Sequence, residues 1–328
     1  MSQAVTKTNS TSRIGTWIPK VPRRIGWTLG LALPLVATAF ILTQRLSGLP
    51  GGSWSWTIHW ELLALTFLLS PLNWALEIMK WDELLPYGSP SRRKREVLYG
   101  VAWSLIGPMK MGAIVGRVSA TRQKERNQAC RAFATASAAQ WWCTITGAGI
   151  ALMVWNMPRA ALPVMALSAV SLGLYFNWSP SFWRILRKCQ IMGDWRIARR
   201  ITKARRVNAL KLSVLRYLVM LTQFVVVLNA FHHTCSTPWF DRCLDQISGG
   251  SLTWGLTSLA PVSLLGDLGV REAAALLSLP ALTPEDTTAI IGAMLTLWVA
   301  NLALPALYGV HLQRSHLNRE KGLTTLWS

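Results

Sequence analysis

The residues best placed for chemistry lie in one run, Pro261-Val262-Ser263-Leu264-Leu265-Gly266-Asp267-Leu268-Gly269-Val270-Arg271-Glu272. A proline, two glycines and three charged side chains stand here between two apolar stretches, 251–260 and 273–279. Neither stretch reaches the roughly 20 apolar residues that a bilayer-spanning helix needs. Pro261 removes a backbone donor and ends one half-helix. Gly266 and Gly269 permit backbone conformations closed to other residues and close approach by a ligand. Residues 269–272 would open a second half-helix, whose free N–H groups and positive dipole end suit an anion. Arg271 adds a forked donor matched to phosphate. Asp267 or Glu272 would pair with Arg271 when no ligand is bound. The alternative is a buried ion pair that simply staples the break.

Two further clusters carry polar groups at telling spacings. Asn73, Glu77 and Lys80 fall at i, i+4 and i+7 and share one helical face, flanked by Trp74 and Trp81. They read either as a polar site or as a span end with interfacial aromatic anchors. In Gly107-Pro108-Met109-Lys110-Met111-Gly112-Ala113-Ile114-Val115-Gly116-Arg117 the proline and spaced glycines suit a helix break followed by tight packing. Lys110 and Arg117 could line a cytoplasmic entrance for an anionic headgroup. Attraction of a basic loop to anionic lipid accounts for them equally well.

The elements that must position these residues are transmembrane helices. Of 328 residues, 51% are hydrophobic and only 15% charged, against about 25% charged in soluble domains, and 18 are tryptophan. Apolar runs predict six spans at roughly 25–44, 57–76, 132–155, 160–178, 212–231 and 287–310, with polar or basic loops between them. Residues 97–116 and 251–280 are interrupted by Gly, Pro and charge, and read as broken elements that re-enter on the side they left. The fold class is therefore all-α and polytopic. A basic tail (1–24) precedes one membrane domain (25–312), and a short tail (313–328) follows. A net charge of +20 could suggest nucleic acid. The basic residues cluster in inter-span loops, which points to topology instead. With both termini cytoplasmic, all of the 34 lysines and arginines except Arg45, Arg159, Arg242 and Arg271 fall on the inside, counting 77–131 and 179–216 as inner loops.

The three clusters together resemble lipid flippases related to the membrane half of the lysylphosphatidylglycerol synthases. Asn73-Trp74 with Glu77 and Lys80-Trp81, Pro108 with Gly112, Gly116 and Arg117, and above all Pro261 with Gly266-Asp267-Leu268-Gly269-Val270-Arg271-Glu272 carry the likeness, which spans about 25–312. It implies a multi-pass protein of the inner membrane, with re-entrant helices, that moves anionic phospholipid or lipid-linked headgroups between leaflets. That family has Gly-Glu where this chain has Gly112-Ala113, and often a second glycine where Asp267 stands. The soluble aminoacyl-transferase domain of the full synthases does not follow here, so aminoacylation is not implied.

The expected ligand site thus comprises Arg271, Glu272, Asp267, Gly266, Gly269, Glu77, Lys80, Lys110 and Arg117, with no cofactor, metal or nucleic-acid partner. P-loop, Gly-x-Ser-x-Gly and HExxH motifs are missing from the sequence. His232, His233 and Cys235 have no fourth ligand at metal-site spacing. Two rival readings stand beside transport. One is a membrane enzyme using Asp267 and Glu272 as acid and base on a lipid headgroup. The other is a non-catalytic membrane scaffold. The topology predicts that a reporter fused after Arg126 reads out on the cytoplasmic side; an external readout would overturn it.

Overall fold

A computed structural model describes residues 58–85, 88–104, 111–177, 201–231, 239–260, 267–279 and 284–325. No strand occurs among them. The helices are α1 (Trp60–Leu84), α2 (Pro90–Ser104), α3 (Met111–Ala120), α4 (Arg126–Val154), α5 (Pro158–Phe176), α6 (Lys203–Ala230), α7 (Trp239–Leu259), α8 (Asp267–Ser278), α9 (Pro284–Trp298) and α10 (Leu304–Thr325). A single π turn, Val299–Ala303, joins the last two. Four helical segments are long and apolar enough to cross a membrane: α1, α5, α6 and Ala289–Ser315. The expected span 132–155 lies in α4, which is not among those four. The expected span 25–44 lies outside the described residues.

These helices turn their polar sides inward. The α1 helix buries Thr66, Ser70, Asn73, Glu77 and Lys80, yet leaves Leu65, Phe67, Leu68, Leu72 and Met79 exposed. In α6, Ser213, Tyr217 and Gln223 are buried while Val214, Leu215 and Leu218 face out. The same holds in α7, with Gln246, Ser251 and Thr257 inside and Leu244, Leu256 and Leu259 outside. A water-soluble helix does the reverse. Exposed leucine over buried polar groups suits hydrocarbon surroundings, where polar side chains must find partners inside the protein.

Several boundaries differ from those read in the sequence. The α1 helix continues through 77–84, so Lys80 belongs to a helix interior and not to a basic loop. Likewise α6 begins at Lys203, which places Arg216 midway along it. The expected polar loop 232–250 is helical from Trp239 onward, with Gln246 and Ser248 buried and Asp241 and Asp245 exposed. Cys243 is consequently a free thiol on that helix, and Cys235 lies outside the described residues. Residues 313–325, expected as a tail, continue α10.

Both interrupted segments are helical hairpins. In the first, α2 packs against α3 with Gly112 beside Trp103 and Gly116 beside Tyr99. A Cβ on Gly112 would sit 2.0 Å from the Trp103 carbonyl oxygen, and one on Gly116 would sit 2.4 Å from that of Tyr99. Gly100 completes the seam against Ala113 and Arg117. In the second, α7 packs against α8, and Gly249 meets Ser278 and Leu279. The breaks themselves, 105–110 and 261–266, lie outside the described residues, and with them Lys110 and Gly266.

The order helix, hairpin, helix therefore occurs twice, as α1–α2/α3–α4 and α6–α7/α8–α9/α10. The hairpins pack crosswise. Leu98 of α2 lies against Gly309 of α10, and Gly255 of α7 lies against Ala148 of α4. The two halves meet along α1 and α6, which pack on each other over much of their length.

Gly112→Val should overpack the first hairpin at a cost of about 1–3 kcal/mol. Gly173→Ala in α5, whose Cβ would meet nothing within 4 Å, should be neutral or slightly stabilising. Thermal unfolding of the purified protein in detergent separates the two; equal transitions would contradict the close seam.

Candidate functional site

A buried polar constellation forms where α1, α3, α4 and α6 meet. Its centre is Glu77, 5% exposed. Lys80 Nζ approaches Glu77 Oε2 at 2.7 Å, from one turn along the same helix. Arg117, from the second arm of the first hairpin, donates to Oε1 at 2.8 Å. Arg216 of α6 donates to Oε2 at 2.9 Å. One carboxylate thus serves three cations, all drawn from water into a protein interior. Gln140 of α4 accepts from Lys80 at 3.5 Å and from Arg216 at 3.4 Å.

Aromatic faces hold the guanidinium groups in place. Arg117 lies over Trp81 at 5.0 Å and over Phe133 at 5.5 Å. Arg216 lies 5.8 Å from the Trp74 ring. Such contacts contribute most where water is excluded. The close α2–α3 seam matters here, since it lets the α3 backbone approach far enough for Arg117 to reach α1.

A run of amides ties this cluster to the second half. Arg216 Nε donates to Asn73 Oδ1 at 2.8 Å, and Asn73 Nδ2 donates to Asn301 Oδ1 at 2.9 Å. Asn301 Nδ2 in turn donates to Gln223 Oε1, and Gln223 Nε2 donates to the Thr66 carbonyl and to Ser70 Oγ. The Trp74 indole N–H donates to the Asn301 carbonyl at 3.1 Å. Asn301 sits in the π turn, a wide turn that often marks functional positions in long helices.

Not every donor is satisfied. Arg117 Nε and Gln140 Nε2 are buried and have no partner among the described residues. Buried donors ordinarily find one. Beyond Trp81, whose indole donates to Glu96 at 2.8 Å, a neighbouring set is closed on itself. There Arg92 and Arg93 pair with Glu96, Glu125 and Asp82. No carboxylate other than Glu77 bridges to Lys80, Arg117 or Arg216 among the described residues.

The run that opened the sequence reading forms a separate cluster. Asp267, Arg271 and Glu272 are all buried. Arg271 donates to Asp267 Oδ2 across one turn of α8, and its guanidinium lies 4.8 Å from the Trp254 ring of α7. Glu272 does not share that pair; it accepts from the Gly269 backbone N–H. Gly269 takes φ +94°, a left-handed conformation that glycine adopts without strain. The amide expected to await an anion is thus engaged by the helix's own carboxylate, in the manner of a cap. Asp267 Oδ1 and Arg271 Nε have no partner among the described residues. Trp254 belongs to the core with Cys143, Tyr217, Leu221 and Phe224.

Of the residues singled out from the sequence, Glu77, Lys80 and Arg117 come together, and Asn73 joins them. Arg271, Asp267, Glu272 and Gly269 form their own group. Arg216, Gln140, Gln223 and Asn301 went unrecognised. Arg216 had been counted among loop charges, but its place between Leu215 and Tyr217 in an apolar run was a usable signal. Among the described residues no group of His, Cys, Asp and Glu could hold a metal ion. No family model, curated protein or solved structure matches the chain.

Glu77→Gln should be the most destabilising single change in the cluster, by about 3–5 kcal/mol, because the buried Lys80 and Arg117 and the partly exposed Arg216 lose their only carboxylate among the described residues. Arg216→Gln should cost less, and combining the two should cost less than their sum. Thermal unfolding of the four proteins measures this coupling; strictly additive losses would contradict a shared carboxylate.

Proposed function

We propose that this chain is a multi-pass protein of the cytoplasmic membrane that passes an anionic lipid headgroup between leaflets. The headgroup binds at Lys80, Arg117 and Arg216 around Glu77. The observation that carries this reading is the charge imbalance there, with three cations against one carboxylate and two buried donors left over. A protein interior accepts such an imbalance at a cost that a bound anion offsets. Arg216 and Gln140 are its partly exposed members, so the ligand approaches along the side where α4 and α6 meet.

The topology that fits is six crossings, with both helical hairpins re-entering and both termini inside. Interrupted helices in each half, converging on a buried polar site, are a recurrent design of transporters. The likeness of the three sequence clusters to flippases related to lysylphosphatidylglycerol synthases agrees with it. Lys110, Gly266 and the broken segment near Arg271 would belong to the headgroup's path. One observation favours the scaffold alternative: Arg271 and Glu272 already have partners inside α8. A static pair of that kind needs no ligand.

The experiment is leaflet exchange of labelled phosphatidylglycerol in proteoliposomes. Wild type should accelerate exchange, and Arg216→Gln should slow it at least tenfold, a loss of about 1.4 kcal/mol in barrier stabilisation. Exchange unchanged by Arg216→Gln, in folded and inserted protein, would leave the scaffold reading in its place.

A further inference from the structure

The charge count around Glu77 says more about the ligand than that it is an anion. We propose that the ligand of this cluster is a phosphate monoester, dianionic near neutral pH, and not the phosphodiester of an ordinary phospholipid headgroup. This rests on the cluster being the headgroup site.

Lys80, Arg117 and Arg216 contribute three positive charges, and Glu77 answers one of them. Behind Trp81, Arg92 and Arg93 are engaged with Glu96, Glu125 and Asp82, and the third of these carboxylates, Asp82, has a side chain 49% exposed to the surroundings, so the buried part of that set is balanced. A phosphodiester brings one negative charge and leaves one buried cation unanswered. A phosphate monoester brings between about 1.5 and 2 at pH 7, which closes the count. A zwitterionic headgroup would need a carboxylate for its amine, and Glu77 is already shared three ways.

Donor geometry agrees with the charge. A monoester exposes three terminal oxygens, and a diester exposes two. The unpartnered donors, Arg117 Nε and Gln140 Nε2, come from α3 and α4. Together with Lys80 of α1 and Arg216 of α6 they come from four elements that meet around Glu77. Arginine forks and amide donors on several sides suit a tetrahedral oxyanion with free oxygens. The titratable groups meeting it are Glu77, Lys80, Arg117 and Arg216, with Cys143 of α4 within electrostatic reach of Lys80.

The monoester could be borne by a lipid or be free phosphate. The full-length protein in detergent would be titrated with phosphatidic acid, with phosphatidylglycerol of the same acyl chains, and with inorganic phosphate. Each titration is run at about pH 8 and about pH 5, either side of the second phosphate ionisation near 6. Phosphatidic acid should bind at least tenfold tighter than phosphatidylglycerol at the higher pH, and the preference should shrink to about threefold or less at the lower. The diester serves as control, since titration of the protein moves both lipids. Arg216→Gln should abolish the preference and Arg216→Lys should retain most of it. Phosphate a hundredfold weaker than phosphatidic acid upholds a lipid-borne monoester; phosphate of equal affinity upholds a soluble one. Equal binding of the two lipids at the higher pH, both weakened by Arg216→Gln, overturns the monoester and leaves the headgroup reading standing. If Arg216→Gln weakens neither lipid in folded protein, both inferences fall.

Discussion

One carboxylate, that of Glu77, is shared by Lys80, Arg117 and Arg216, and this sharing dictates much of the surrounding structure. Charges removed from water must find each other at short range, because the low-dielectric interior multiplies both their attraction and the penalty for leaving one alone. Arg117 can only reach Glu77 if α3 sits close to its neighbours, and the glycine seam of the first hairpin provides that closeness. Arg216 can only reach it if α1 and α6 lie side by side, as they do. The amide run through Asn73, Asn301 and Gln223 then fixes the register of those helices to the π turn before α10. A single ionic centre therefore couples both halves of the chain.

Packing elsewhere follows from surroundings that give little hydrophobic drive between helices. Exposed leucines on α1, α5 and α10 gain nothing by hiding from lipid tails, so close approach at glycine and alanine and buried polar pairs hold the helices together. Gly309 on Leu98 and Gly255 on Ala148 show the same device at the two crosswise contacts between halves. Several serine and threonine hydroxyls on α6 and α7 return to carbonyls one turn back, as those of Thr222 and Thr253 do.

The two hairpins are alike in plan but differ in where their arginine goes. Arg117 leaves its hairpin and joins α1, so the first hairpin is tied to the centre of the molecule. Arg271 stays within its own, bonded to Asp267 and stacked on Trp254. In the first hairpin the α3 arm carries Arg117 and no carboxylate, and the one carboxylate of α2, Glu96, is engaged by Arg92 and Arg93. In the second, the α8 arm carries two carboxylates, Asp267 and Glu272, and one cation, Arg271. The α3 arm thus finds its counter-charge on another helix, while Arg271 finds one inside α8.

Much of this was legible in the residues themselves. The i, i+4, i+7 spacing of Asn73, Glu77 and Lys80 put them on one face, and they share one. Glycine and proline marked both interruptions, because helix geometry leaves those residues few other uses in an apolar run. The partners were not legible. Arg216 lies 139 positions from Glu77 along the chain, and Asn301 lies 228 from Asn73. Helical periodicity reports which side of a helix a residue is on, but not which helix comes to meet it. Hydropathy also scored the polar stretch 239–250 and the last turns of α1 as loop, since it measures composition and is blind to helical periodicity. Only the packing of α3 and α6 against α1 decided that a lysine and two arginines, each read as a loop or entrance charge, would converge on one glutamate.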